Sequence, residues 1–382
     1  MQLSEQNASK HCQFTYNSLF YNKGNVAHCC MQDTLHKRYN WESVNDLNQF
    51  YLRDEFQEVR QALAQGIKHS ACDSCWAYED NGMPSMRQQN MYYKNNFNTK
   101  TNIKHVDIRL SNKCNLQCKM CNSGDSDQIH RLALDLIDTP YNRIVVQNND
   151  TKKFMDLVLE LPDLEAVRLA GGEPFIMPEV EQFLYKLVIL GKTDINIEII
   201  TNCTSAKPRI IQLLNHFKRV DIMCSIDGVG ETLEYQRFPA RWKTIENNFI
   251  KLYNSNCNIR IVPCIGILNY LTLDKFFEWA NQFPDALVTY NEIQEPEFFN
   301  FRFIPTSARE DFYERFANIE FANAAPQWRK FQKRIMRETK EPTVQQCNEL
   351  LHHVTSVWDV TNEHKFLELY PWAEYMIEKA ND

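Results

Sequence analysis

From Lys104 onward the chain alternates short apolar runs with amphipathic segments of helical period, and few folds accommodate that alternation. The runs that read as strands are Val106–Leu110, Ala166–Ala170, Ile195–Thr201, Arg219–Ser225, Ile259–Ile265 and Phe299–Ile304. Helical patterns lie between them near Gln128–Ile137, Glu179–Leu190, Ile210–Phe217, Trp242–Tyr253 and Leu273–Asn281. Strand–helix alternation builds parallel βαβ units. The expected fold is therefore α/β, a partial barrel or open sheet whose ligands sit at the carboxyl ends of the strands. After about residue 311 the pattern is helical to the end. Residues 1–100 are rich in Asn, Gln, Cys and aromatics and show one helical pattern, Val44–Leu63. The chain thus divides into a Cys-rich segment 1–100, a barrel 101–310 and a helical extension 311–382.

A hydrophobic share of 43% over 382 residues is that of a packed protein. The formal charge of −7 implies no general polyanion-binding surface. The N-terminus MQLSEQNASKHC lacks the apolar core of a signal peptide, and no apolar stretch is long enough to span a bilayer. The expectation is a soluble, cytoplasmic protein with no membrane partner. Thirteen cysteines in such a chain point to metal ligation rather than disulfides, and their odd number fits complete pairing poorly. Cys203, Cys224, Cys257 and Cys264 are scattered singly through apolar segments and read as small buried hydrophobes. Cys72 and Cys75 form one tight group; Cys114, Cys118 and Cys121 form another.

The second group lies in SNKCNLQCKMC, directly after the first barrel strand. Three thiolates on a four-iron, four-sulfur cluster leave one iron without a protein ligand, an open position that structural zinc sites lack. A zinc site completed by His105 or His130 is the competing reading of the same residues. The spacing C-x3-C-x2-C resembles the signature of the radical S-adenosylmethionine (SAM) superfamily. The resemblance implies a partial (β/α)6 barrel and a 4Fe-4S cluster on Cys114, Cys118 and Cys121. It implies that the open iron takes the amino and carboxylate groups of SAM, which is cleaved to a 5′-deoxyadenosyl radical. A reducing partner such as flavodoxin or ferredoxin is implied with it. The residue before the third cysteine, usually aromatic in the family, is Met120, whose thioether fills the same apolar space.

Further matches follow in chain order. The second strand ends in Gly171-Gly172-Glu173-Pro174, where the family's GGEP segment binds the SAM amino group. Glycines admit close backbone approach, and a carboxylate accepts from an ammonium. Thr201-Asn202 close the third strand, with Cys203 where many relatives have Gly. The fourth ends in Ser225-Ile226-Asp227-Gly228, followed by Tyr235 and Arg237. In similar proteins that Ser contacts the SAM ribose and that Arg lies near its carboxylate; Asp227 alternatively caps a turn. Asn269 is a further candidate pocket contact. The resemblance covers roughly residues 104–305.

In the N-terminal segment, Cys12, Gly24 and Cys29 read as a hairpin with glycine at its turn side, followed by Cys72-Asp73-Ser74-Cys75. This resembles the twitch module, a shortened relative of the SPASM module, that holds an auxiliary cluster beside radical SAM cores. Its position before the barrel, and the run CWAYEDNGMPSMR, resemble the N-terminal-twitch subfamily. The implied ligands are Cys12, Cys29, Cys72 and Cys75, holding a second iron–sulfur cluster of the 4Fe-4S type; their spacing suits tetrahedral zinc equally. Adjacent side chains on an extended hairpin point to opposite faces, so only one of Cys29 and Cys30 binds.

Trp328–Lys340 places several Arg and Lys residues on one helix face, either solvated or a dock for an anionic substrate or leader peptide. Cys347 is a candidate hydrogen-atom donor; His352 and His353 read as surface or core histidines. The substrate expected by analogy is a peptide, an amino-acid-type molecule or a small metabolite. Radical modification of a nucleotide or nucleic-acid base is the alternative. A zinc- or redox-cluster regulatory protein without turnover is the reading from another class.

Overall fold

The computed structural model describes residues 12–32, 41, 43–82, 85–89, 100–135, 151–294, 296–319, 328–329, 331–332, 340–354, 358–359 and 365–381. Its strands are β1 (Ser18–Asn22), β2 (Asn25–Ala27), β3 (His105–Arg109), β4 (Ala166–Ala170), β5 (Asn196–Thr201) and β6 (Arg219–Cys224). They continue with β7 (Asn258–Ile261), β8 (Cys264–Ile265), β9 (Leu287–Val288) and β10 (Asn291–Glu292). The main sheet runs β2-β1-β3-β4-β5-β6-β7-β9, and β8 pairs with β10. Asn291 N–H donates to Pro263 O at 2.9 Å, so β7/β8 and β9/β10 are two long strands interrupted where Pro263 brings no N–H. From β3 to β9/β10 every pairing is parallel, which makes the six-stranded partial barrel.

Helices cover the outer face because their apolar residues recur at helical spacing. Pro178–Ile189 buries Val180, Phe183, Leu184 and Leu187, with Glu179 and Glu181 in its first turn and Lys186 in its last. Thr151–Leu159, a helix the sequence pattern did not single out, buries Phe154, Met155, Val158 and Leu159. The strand expected at Phe299–Ile304 is instead two 3₁₀ turns, Glu297–Phe299 and Phe301–Phe303. Phe299, Asn300, Phe301 and Ile304 are all buried, so the run's composition imitates a strand. Asn300, accepting from Arg302 N–H at 3.0 Å, turns it instead. The sixth strand is β9/β10.

Part of the N-terminal segment packs into the barrel's core, while Cys12, Val59, Leu63 and Trp76 form a small cluster of their own. Lys23 and Gly24 both have positive φ (50° and 96°), as a two-residue hairpin turn between β1 and β2 requires. Strand β1 then pairs in parallel with β3, Phe20 opposite Asp107, and so extends the barrel sheet. Tyr21, fully buried, stacks on Phe154 at 4.2 Å and meets Trp41 edge-on. The helical pattern over Val44–Leu63 forms two helices, Leu47–Tyr51 and Asp54–Ala64, separated by Arg53 in an extended conformation. Leu19, Tyr21, Phe50 and Phe56 thus share one core with the barrel strands.

Beyond the barrel lie the helices Thr306–Ala317, Val344–His353 and Glu374–Ala380. Trp328 fills the open end of the sheet, donating from Nε1 to Val288 O at 3.2 Å. Among the described residues no helix is long and apolar enough to cross a membrane.

Because Tyr21 ties the hairpin to the barrel, Tyr21→Ala should cost about 3–5 kcal/mol of stability. Tyr185→Ala, at a half-exposed site, should cost under about 0.5 kcal/mol. Urea unfolding of the iron-free protein measures both, and equal losses would contradict the docking.

Candidate functional site

The loop after β3 carries Cys114, Cys118 and Cys121 over the carboxyl end of the sheet, and its backbone is braced from three sides. Cys114 N–H donates to Asp127 Oδ1 (2.9 Å), and Ser126 Oγ donates to Leu116 O (2.7 Å). Lys119 N–H donates to Gln236 O (2.8 Å) and Gln117 N–H to Phe238 O (2.6 Å), so the segment after Tyr235 is latched onto the loop. On the third side Glu173 N–H donates to Lys113 O at 2.9 Å. Gly172 has φ +53°, and a Cβ there would stand 2.1 Å from Lys113 O. The close approach that these glycines permit is therefore that of the cysteine loop's own backbone.

Burial governs the three thiols. It pushes Cys118 up to about 12 even though the Arg237 guanidinium opposes it, and raises Cys114 and Cys121 as well. Cys118 is raised further by Cys114, and Cys121 by both, so the three share one electrostatic neighbourhood. Two donors are aimed at sulfur: Asn202 Nδ2 at 3.8 Å from Cys114 Sγ and Arg237 Nη1 at 3.8 Å from Cys118 Sγ. Among the described residues no three His, Cys, Asp or Glu side chains are gathered around a single-ion position. Poorly solvated thiols with aimed N–H donors suit a metal group that takes the protons' place, and such donors tune a cluster through its sulfurs.

Glu173 is fully buried and accepts three hydrogen bonds, from Phe175 N–H (2.9 Å), Thr201 Oγ1 (2.8 Å) and Asn202 N–H (2.6 Å). Burial nevertheless pushes its carboxyl up to about 7. It ties the end of β4 to the end of β5 and retains acceptor capacity for one more donor. Pro174 opens the 3₁₀ turn that follows. Cys203 stands at φ +60°, a conformation that favours glycine. Ser225 ends β6 half-buried. Asp227, fully buried, accepts from Arg237 Nε (2.6 Å) and Cys264 N–H (2.8 Å). Asn269 spends its amide on Asp227 O, Cys264 O and Gly266 N–H. The structure thus gives Asp227 and Asn269 a bracing role and aims Arg237 at Cys118. His105 begins β3, at the opposite end of the sheet from the cysteine loop.

Residues 108–280 match the family described as the Radical SAM superfamily. That stretch of the chain is similar to radical SAM domains. The chain is 24% identical over 221 residues to the radical SAM cyclopropyl synthase TigE of Paramaledivibacter caminithermalis, covering 55% of this chain and 44% of that one. The chain therefore spans less than half the length of this curated relative. Solved structures similar to it include Streptococcus suis SuiB bound to S-adenosylmethionine, at TM-score 0.40 and 13% identity over 66% of this chain and 54% of that one. Another is anSMEcpe with bound AdoMet, at TM-score 0.41 and 15% identity over 63% of this chain and 66% of that one.

Over the cysteine loop lies the C-terminal extension, an arrangement the sequence reading missed. Lys119, between the second and third cysteines, is buried with its ammonium 4.5 Å from the Tyr235 ring and 4.2 Å from that of Trp358. Burial lowers its pKa to about 7, against the opposing pull of Asp359. Lysines are ordinarily exposed, and nothing in KMC signals otherwise. Met120 is half-buried against the core. Cys347 is buried with its sulfur 3.5 Å from Met376 Sδ, so it faces a packed core. His353 is a core histidine ringed by Phe298, Phe299 and Trp358. Most of the basic run Trp328–Lys340 lies outside the described residues.

The N-terminal cysteines meet at the other end of the sheet. Cys12, Cys29, Cys72 and Cys75 line one small cavity, with Met86 and Arg87 beside them. Burial raises the thiols of Cys12, Cys29 and Cys72. Cys30 lines a different, larger cavity and reaches Met86 Sδ at 3.7 Å. Arg87 pairs with Glu79 at 2.5 Å over the Trp76 ring, which joins the CWAYED and SMR stretches.

Gly172→Ala should cost about 3 kcal/mol or more, since backbone overlap adds to the strain of positive φ. Gly191→Ala, also at positive φ but in open space, should cost only about 1 kcal/mol. Urea unfolding decides, and a Gly172 cost as small as that of Gly191 would deny the close approach. Glu173→Gln should cost about 1–3 kcal/mol by orphaning a buried donor.

Proposed function

We propose that this chain is a radical SAM enzyme that cleaves S-adenosylmethionine reductively and takes a hydrogen atom from an amino-acid-type, peptide or small-metabolite substrate. A four-iron, four-sulfur cluster on Cys114, Cys118 and Cys121 would supply the electron that breaks the sulfonium bond. The observation that carries the reading is the thiol loop, pinned between Gly172-Glu173 and Gln236-Phe238 with Asn202 and Arg237 directed at two sulfurs. Asn202 and Arg237 hold the charge on those sulfurs, and Asp227 keeps Arg237 in place. Glu173 has acceptor capacity left for the SAM ammonium, Ser225 stands at the neighbouring strand end, and Met120 offers an apolar surface to the adenine. Trp358 and Tyr370, both buried, help keep water from the loop.

The reading includes a second iron–sulfur cluster on Cys12, Cys29, Cys72 and Cys75. Their shared cavity supports it. Four protein ligands leave no open iron, so this cluster serves as a wall of the barrel lumen or as an electron relay. A flavodoxin or ferredoxin is the proposed reductant. The cytoplasm is the proposed location, supported by thirteen unpaired cysteines.

Anaerobically reconstituted protein given SAM and dithionite should form 5′-deoxyadenosine, read by chromatography and mass spectrometry. Cys114→Ser, Cys118→Ser and Cys121→Ser should each reduce that product to background; colourless, zinc-filled wild type without product would refute the assignment. Cys29→Ala should lower iron per chain by about half while Cys30→Ala leaves it unchanged. Equal iron in the two variants would remove the second cluster.

A further inference from the structure

The barrel interior carries charge where barrels ordinarily pack aliphatic layers. Asp107, Arg168, Glu198 and Asp221 are successive cross-strand partners on β3 to β6, and Arg260 follows on β7. With them the first residues of the strands, among them His105 and Arg219, line a cavity of about 510 Å³ at the amino-terminal end of the sheet. The rest of the lining includes a soft, apolar part made by Phe14, Leu19, Phe20, Cys30 and Met86, with Phe20 beside Asp107 on the neighbouring strand. This is the end remote from the cysteine loop, some 13 Å of strand away.

The charges are not all spent on one another. Arg168 pairs closely with Glu198 (2.6 Å), and Arg219 with Asp221 (2.6 Å). Asp107 is held only loosely, 3.7 Å from Arg168 and 3.4 Å from Arg109, and its Oδ1 is buried with no hydrogen-bond partner among the described residues. Arg260 reaches Asp221 only at 3.7 Å. A buried carboxylate oxygen without a donor is costly unless a ligand supplies one. Three carboxylates (Asp107, Glu198, Asp221) face three guanidinia (Arg168, Arg219, Arg260), so the lining has no excess of either sign. That balance disfavours a polyanion, and the charged row disfavours a fatty acyl chain.

We propose that this cavity binds a zwitterionic amino-acid-type ligand, a short peptide with an apolar side chain. Its ammonium meets Asp107, its carboxylate meets Arg260, and its side chain lies on the Phe14–Met86 wall. This specifies the substrate class of the radical enzyme proposed above and rests on that reading for what happens after binding. The ligand enters from the auxiliary-thiol end and extends up the lumen toward the cysteine loop.

Calorimetric titration of the iron-loaded, SAM-bound protein tests it. The probes are the dipeptide Ala-Leu, its uncharged N-acetyl amide, uridine monophosphate and octanoate. Ala-Leu should bind, its neutral analogue about tenfold more weakly or worse, and the other two not measurably. Asp107→Asn should weaken Ala-Leu about tenfold, and Ala166→Phe, which fills the cavity beside His105 and Asn196, should abolish binding. Absence of Ala-Leu binding, equal binding of the neutral analogue, preference for the nucleotide or octanoate, or indifference to Ala166→Phe would overturn the proposal. 5′-Deoxyadenosine formation is measured on the same preparation. Binding without that product sinks the radical chemistry and leaves the pocket standing; product without binding does the reverse.

Discussion

The closeness of two backbones governs this molecule. Lys113 O sits where a Cβ of residue 172 would be, and Glu173 N–H donates to that same carbonyl. This contact sets the height of the cysteine loop over the sheet. From it follow the positions of Cys114 and Cys118 relative to Asn202 and Arg237, whose donors extend from the next strand end and from the latch after Tyr235. Glu173 carries the constraint sideways into β5, and Asp227 carries it from Arg237 into Cys264 on β8. A residue set that looks like a list of ligand contacts is thus largely a scaffold that holds three sulfurs.

The two groups of cysteines lie at opposite ends of one sheet. The parallel pairing of β1 with β3 places the N-terminal thiols below the strands, whereas the loop after β3 rises above them. The barrel lumen between the two ends is lined with ion pairs, and its lower part shares Cys29 and Met86 with the auxiliary-thiol cavity. Such a lumen stays open because charged side chains resist the dense packing that aliphatic layers reach.

Much of this was legible in the residues. The strands β3 to β6 lie within one residue of their expected bounds, and the run expected at Ile259–Ile265 spans β7 and β8, because each is a short apolar run between helices of clear period. The cysteine spacing and GGEP marked the loop and its seat. Phe299–Ile304 was misread because a mostly buried, aromatic run has the composition of a strand whether or not it turns. The charged barrel row was readable and was passed over. HVDIR, NIEII and RVDIM alternate with period two, whereas parallel strands buried on both faces are near-continuously apolar. Lys119 was not legible, since its burial depends on Trp358, more than two hundred residues along the chain. The bracing roles of Asp227 and Asn269 likewise depend on pairings that spacing does not encode.

The most direct test of the central claim is Mössbauer spectroscopy of ⁵⁷Fe-loaded protein in which Cys12, Cys29, Cys72 and Cys75 are all replaced by alanine, leaving the loop cysteines as the only cluster ligands. Adding SAM should shift the signal of a single iron in the cluster, the one without a protein ligand, and leave the rest unchanged. A spectrum indifferent to SAM, or one in which every iron responds alike, would contradict the account.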